Sequence, residues 1–313
     1  MDFIKHRKIF YWITGIISAA CVAALLIWGL NFGIDFTGGS VIEISYGKET
    51  VERTEIVSAL EQIDHRGASV RETKTSDGGQ GVTYIIRTRE LAGQDRQIFV
   101  SALERLGRGD MEIIRFNAIG PILGNESARK AAYSIVFVII AIIIFITFAF
   151  RKVSKPISSW KYGVIAIVAL IHDMLIPTGV FAALGQFTGA EVDTLFVTAL
   201  LVILGFSVHD TIVVFDRVRE NLAKNEENNI KRDFSEVVND GIKQTMMRSI
   251  NTSVTTLLAL AALYFFGPEA TKHFTLVLMI GIAAGTYSSI FLASPLLVTA
   301  EKLQNKINKS KVN

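Results

Sequence analysis

Six long apolar runs punctuate the chain: Phe10–Leu30, Ala131–Phe150, Tyr162–Leu184, Thr194–Phe215, Thr252–Phe266 and Phe274–Val298. A helix needs about 20 apolar residues to cross a hydrocarbon core of about 30 Å. The runs therefore predict six transmembrane helices, of which the fifth is short and its start is not fixed by the pattern. Between the first two runs the period changes. Val41–Tyr46, Ser69–Thr75, Val82–Thr88 and Glu112–Phe116 read as strands, with Asp77-Gly-Gly79 as a hairpin turn. Two helices separate them: Val51–Ile63, with Val51, Ile56, Leu60 and Ile63 near helical spacing, and one capped by Asp95, with Ile98, Val100, Leu103 and Leu106 as apolar positions.

The order βαββαβ predicts a small ferredoxin-like α+β domain outside the membrane. The expected organisation is a first anchor and span over 1–30, the inserted domain with its junctions over 31–125, five further spans over 126–300 and a basic tail over 301–313. Such a domain hosts many functions, so by itself it shows only that something is handled outside the membrane. Asp233–Met247 places Phe234, Val237, Val238, Ile242 and Met246 at helical spacing among charges, which predicts an amphipathic helix lying at the membrane surface. Gly281 and Gly285 make a small-xxx-small pattern for close helix approach, within the chain or to a partner.

Composition agrees with a polytopic membrane protein, since half of the residues are hydrophobic and gathered into runs. Lys5, Arg7 and Lys8 precede the first span; Arg151, Lys152, Lys155 and Lys161 fill the second connection; Arg217, Arg219, Lys224, Lys231, Arg232, Lys243 and Arg248 crowd the fourth; Lys302, Lys306, Lys309 and Lys311 follow the last. The positive-inside rule puts those sides, and both termini, in the cytoplasm. The net charge of +3 reflects these anchors at the lipid surface and points to no nucleic-acid partner. Ser18-Ala-Ala-Cys21 faintly resembles a lipoprotein cleavage box, but Val22–Leu30 stays apolar where a mature terminus turns polar, so the first span is expected to be retained. Cys21, the single cysteine, forms no internal disulfide, and no Cys cluster holds a metal. There is no His-Glu-x-x-His, no Gly-x-Ser-x-Gly and no Gly-rich phosphate loop. The expectation is a protein that is not an enzyme and carries no cofactor.

Candidate chemistry lies inside the spans. His172-Asp173 sits in the third and His209-Asp210 in the fourth. A charged side chain near the centre of a spanning helix costs at least about 2.5–3.5 kcal/mol, so such residues usually face a polar interior and mark an ion or proton path. Adjacent residues point about 100° apart, so His and Asp of one pair cannot share a face. Asp210 shares its stripe with Ser207, Ile203 and Val214, and His209 shares one with Gly205 and Val202. Two readings stay open for these groups: a proton pathway, or hydrogen-bonded packing between helices. Arg248, at the start of the fifth span, is either a counter-charge for Asp210 or a snorkelling anchor. Ser249 and Ser253, Asn251 and Thr255, and Thr252 and Thr256 follow it, each pair four residues apart, and would line faces of a polar path to Asp210.

Gly33-Ile-Asp-Phe-Thr-Gly-Gly39, Leu204–Asn221, Arg248-Ser-Ile-Asn-Thr-Ser253 and Gly285-Thr-Tyr-Ser-Ser-Ile-Phe291, in this order, resemble the SecF family, the smaller membrane subunit of the SecD–SecF export complex and a relative of RND-type transporters. The resemblance covers nearly the whole chain. It implies a six-span, RND-like half bundle in the bacterial cytoplasmic membrane, partnered by SecD and the SecYEG channel. It further implies use of the proton-motive force to help unfolded preproteins complete export. Asp210 matches the family's acidic residue in span four and Arg248 its basic partner. Asp35, Gly38 and Gly39 fall in the Asp-Phe-Thr-Gly-Gly element, a tight junction between membrane and domain. One departure is that the residue before Asp210, often Asn in the family, is His209 here. The competing expectations are an RND-like exporter half and a passive assembly subunit that would tolerate Asp210→Asn.

Overall fold

The computed structural model describes residues 2–47, 51–65, 68–74, 82–107, 110–150 and 157–310. These form two compact units, Met1–Asn31 with Tyr133–Asn313, and Phe32–Ala132. The division falls at 32 and 132, against the expected 31–125. In chain order the elements are α1 (Arg7–Trp28), α2 (Ile34–Thr37), β1 (Gly39–Tyr46), α3 (Arg53–Gln62), β2 (Ser69–Lys74), β3 (Val82–Thr88), α4 (Gln94–Leu106), β4 (Met111–Ile119), α5 (Pro121–Ala149), α6 (Ser159–Thr188), α7 (Thr194–Glu227) and α8 (Phe234–Phe266). A short 3-10 turn then leads into α9 (Lys272–Ser288), a π-wound segment (Ser289–Ala293) and α10 (Ser294–Ser310).

The inserted unit is a four-stranded antiparallel sheet in the order β2-β3-β1-β4, the ferredoxin-like arrangement. Its core joins Ile42, Ile44, Val70, Tyr84 and Ile86 of the sheet to Ile56, Leu60, Phe99 and Leu103 of the two helices. In α4 the buried stripe runs Phe99, Leu103, while Ile98 is exposed, because Ile98 is rotated about 100° from that stripe. Gly93, not Asp95, is the N-cap of α4. Asp95 sits in the first turn, where a negative charge suits the helix dipole. The junction requires glycine: Gly38 has φ +72°, and a Cβ there would lie 2.6 Å from Pro121 Cα. The hairpin turn expected at Asp77–Gly79 lies outside the described residues, as do Arg151, Lys152, Lys155 and Lys311.

The other unit carries helices apolar and long enough to cross a membrane, and with α5 there are six among the described residues. Within this unit α1 packs on α6, and α6, α7 and α8 all pack on α9. Cys21 of α1 meets α6 at Gly179, where any added Cβ would stand 2.4 Å from Cys21 Cβ. The predicted amphipathic helix and the fifth span are one element, α8. Its apolar face does not lie on the lipid surface: Phe234, Val238 and Ile242 join the same core as Val214, Phe215 and Val218 of α7. With 34 residues, α7 is about 51 Å long against a hydrocarbon core of about 30 Å, so a helical hairpin projects past the apolar layer. Two prolines disturb the helices. Pro177 lies inside α6. Pro295, lacking an N–H and crowding the preceding turn, is the second residue of α10, one residue past the π-wound segment.

Candidate functional site

Asp173 and Asp210 are both deeply enclosed, with 0% and 3% of their surfaces exposed, yet their surroundings differ. Asp173 is saturated. His172 Nδ1 lies 2.9 Å from its Oδ1, Ser288 Oγ of α9 donates to Oδ2 at 2.7 Å, and Ser207 Oγ of α7 donates to the same oxygen. A carboxylate so supplied ties α6, α7 and α9 at one level. Charge-assisted hydrogen bonds of this kind contribute about 1.5–3 kcal/mol each, and removing the acceptor would leave buried hydroxyls without it. Close approach makes the knot possible: at Gly285 an added Cβ would stand 3.1 Å from Ser207 Cβ. His172 is buried beside it, its ring centroid 6.5 Å from that of Tyr287.

Asp210 sits one turn along α7 from Ser207, on the stripe with Ile203 and Val214 that the sequence outlines, and all four residues are buried. Its Oδ2 is buried and has no hydrogen-bond partner among the described residues. Its electrostatic neighbours are His209, Arg248 and Asp173. Asp210 lies 16 residues into α7 and Arg248 lies 18 residues before the end of the antiparallel α8, or about 24 Å and 27 Å from the same side of the bundle. The two groups are therefore at similar depth.

The fifth span distributes its polar groups over two faces. Thr245, Ser249 and Ser253 are buried, and Ser253 Oγ is hydrogen-bonded to Thr286 Oγ1 of α9, while Ser249 Oγ has no partner among the described residues. Arg248, Asn251, Thr252 and Thr255 are exposed and Thr256 is partly so. Thr252, Thr255 and Thr256 donate to the carbonyls of Arg248, Asn251 and Thr252 four residues back. The hydroxyls counted from sequence as a lining for Asp210 thus sit mainly on the outer face of this chain, and the inner polar groups are Ser249 and Ser253. His209 is also outward, with Val202 and Gly205. Sequence reasoning did not single out Ser288, although its spacing from Gly281 and Gly285 puts it on the same close-packed face of α9. At the junction, Asp35 is half-buried in the first turn of α2, and Gly38 and Gly39 both take positive φ. No group of three or more His, Cys, Asp or Glu able to hold a metal occurs among the described residues.

A family model described as the C-terminal region of the protein export membrane proteins SecD/SecF matches residues 98–303, and one for the SecD/SecF GG motif matches residues 24–50. The protein translocase subunit SecF of Thermobaculum terrenum is 42% identical over 306 residues, covering 96% of this chain and 94% of that one. The subunit of the same name from Sebaldella termitidis is 33% identical over 311 residues, covering 99% and 95%. Among solved structures, SecDF of Thermus thermophilus, a translocon-associated membrane protein, superposes with a TM-score of 0.78 at 29% identity. The match covers 96% of this chain and 39% of that longer one.

Proposed function

The chain belongs to the SecF family of protein-export membrane proteins, a multi-pass, non-catalytic subunit of bacterial Sec translocation, and we propose that it works with SecD to draw on the proton-motive force. In this reading it assists the late export of unfolded preproteins through the SecYEG channel, with both termini in the cytoplasm. Asp210 is the proton-responsive carboxylate and Arg248 its counter-charge. The observation that carries the reading is the buried Oδ2 of Asp210, without a hydrogen-bond partner among the described residues, at a depth similar to that of an arginine on the outer face of a spanning helix.

About 27 Å from the outer end of α8, Arg248 lies in the cytoplasmic half of a core of about 30 Å, with Asn251, Thr252 and Thr255 deeper on the same face. A face bearing Arg248, Asn251, Thr252 and Thr255 is therefore better suited to a protein partner and its trapped water than to acyl chains. SecD is the partner of matching class, and His209, also outward, belongs to that surface. Thr256 lies at its margin. Ser249 and Ser253 give the inner side of α8 groups that can hold water near Asp210. His172 and Asp173 complete the buried polar set. Moving one charge through 100 mV yields about 2.3 kcal/mol, which biases a two-state equilibrium nearly fifty-fold. Protonation of Asp210 then acts as a ratchet on the packing of α7 and α8 while the inserted domain holds emerging chain.

Asp210→Asn and Arg248→Ala should insert normally and still co-purify with SecD, yet lose the proton-dependent part of export in inverted membrane vesicles. Normal proton-dependent export with Asp210→Asn would refute the reading and favour a passive assembly subunit.

A further inference from the structure

Asp173 stands where α6 is weakened by proline and α9 passes into a π-wound segment. Pro177, four residues later in α6, has no N–H to give the Asp173 carbonyl, so the helical ladder is interrupted at that residue. Ser288 is the last residue of α9, and the five residues after it are π-wound. There Ser294 Oγ supplies Ser289 O with a bond at 2.7 Å. Ser288 Oγ also has a second acceptor in its own helix, Gly285 O at 3.1 Å. The cross-helix bond to Asp173 thus joins two points at which the backbone can bend.

We propose that Asp173, Ser207 and Ser288 form a proton-operated clamp whose release lets the π-wound segment Ser289–Ala293 move α10 against α6. The inference rests on the proton-coupled reading above and gives that coupling a mechanical element. An ionised carboxylate only accepts: Ser207 and Ser288 both donate to Asp173 Oδ2, and His172 Nδ1 stands 2.9 Å from Oδ1. One proton from water converts it to a carboxylic acid, whose O–H is itself a donor. A proton on Oδ2 takes one of the two positions that Ser207 and Ser288 share on that oxygen, so one of their bonds is lost, and the reverse step returns the proton to water with no other bond changed. Ser288 is the donor with a prepared alternative, because its hydroxyl can turn fully to Gly285 O. Ser207 and Ser288 are positioning residues for this event.

The titratable groups around the clamp are His172 on α6, Asp210 on α7, Tyr287 on α9 and, two turns away where α1 meets α6, Cys21. His209 and Arg248, also near Asp210, face away from it.

The test uses the full chain with SecD in liposomes. Infrared difference spectra on acidification should show a protonated carboxyl band that Asp173→Asn removes and Asp210→Asn leaves in place. Ser288→Ala should keep that band but shift its frequency, since one hydrogen bond is gone. In a Cys21→Ala background, spin labels at Trp160→Cys on α6 and Leu303→Cys on α10 should report a distance that changes with pH. That change should vanish when Asp173→Asn or Ser288→Ala is added, and Ser288→Ala should lower proton-driven export at least about tenfold. A carboxyl band untouched by Asp173→Asn overturns the clamp, as does a distance change that survives both substitutions. Neither readout requires export, so failure of the clamp is distinguishable from failure of the proton-coupled reading.

Discussion

Replacing Gly281 by alanine is the sharpest test of how α9 seats against α7. The added Cβ would stand 2.2 Å from Ile203 Cδ1, 2.5 Å from Cγ1 and 3.0 Å from Cγ2. Ordinary carbon contacts lie at about 3.5–4.0 Å, so the shortfall exceeds about 1 Å. Ile203 cannot swing aside: it is fully buried, and a β-branched side chain in a helix has essentially one χ1 rotamer. The helices must separate, at the about 1–3 kcal/mol typical of overpacking. Alanine regains about 0.5–1 kcal/mol over glycine through helix propensity, which leaves a net loss of up to about 2.5 kcal/mol. Because Gly285, Ser207 and Ser288 lie within the next two turns, the separation should also loosen the bonds on Asp173. Reversible unfolding of the purified chain in mixed micelles measures the loss. Gly205→Ala is the control, since nothing lies within 4 Å of a Cβ there. In a double-mutant cycle, Ile203→Ala should make Gly281→Ala nearly neutral, with a coupling of about 0.5–3 kcal/mol. A coupling near zero would refute this account of the crossing.

Three further outcomes follow from the inserted domain. His65 is buried, edge-on to Phe99 and 3.1 Å from Thr88 Oγ1; burial, then the charge of Arg89, holds its pKa below the usual histidine value. The unfolded chain therefore binds the extra proton first, so this contribution is present above about pH 6.5 and is lost as pH falls below it. Hydrogen exchange of the domain amides, corrected for intrinsic rates, should show stability dropping on acidification and a flatter slope in His65→Gln; an equal slope in the variant would contradict this. Gly38→Ala places a Cβ 2.6 Å from backbone Cα of Pro121 at φ +72°, so no rotamer relieves it. A loss above about 2 kcal/mol is expected from the left-handed backbone and the clash together, visible as faster proteolysis at the junction. Tyr46→Phe removes the hydroxyl that donates to Leu103 O at 3.0 Å and should cost the domain about 0.5–1.5 kcal/mol in chemical unfolding.

The apolar runs and the change of period around Val41–Phe116 were enough to give six spanning helices and the βαββαβ domain, because burial in lipid and burial against a sheet each impose a period on the chain. Asp210 stood out for the same reason, as a charge inside an apolar run. Periodicity assigns a residue to a face but not to a neighbour. Phe234, Val238 and Ile242 make an apolar stripe whether it meets lipid or α7, and only the folded chain showed it against Val214 and Val218. Gly281 and Gly285 promised a close approach, and packing supplied Ile203 and Ser207 as what they approach. Spacing sorts the polar groups after Arg248 into pairs four apart, and only packing decides that Ser249 and Ser253 face inward while Asn251, Thr252 and Thr255 are exposed.

Sequence by itself therefore determined the class of protein, its spans and the family, since each depends on local composition or on short motifs, and it singled out Asp173 and Asp210 as candidates. The tertiary structure decided that Asp173 accepts from Ser207 and Ser288 while Asp210 Oδ2 finds no hydrogen-bond partner among the described residues. Those partners come from helices 34 and 115 residues away in the chain, and no local pattern encodes which distant hydroxyl will reach a given carboxylate.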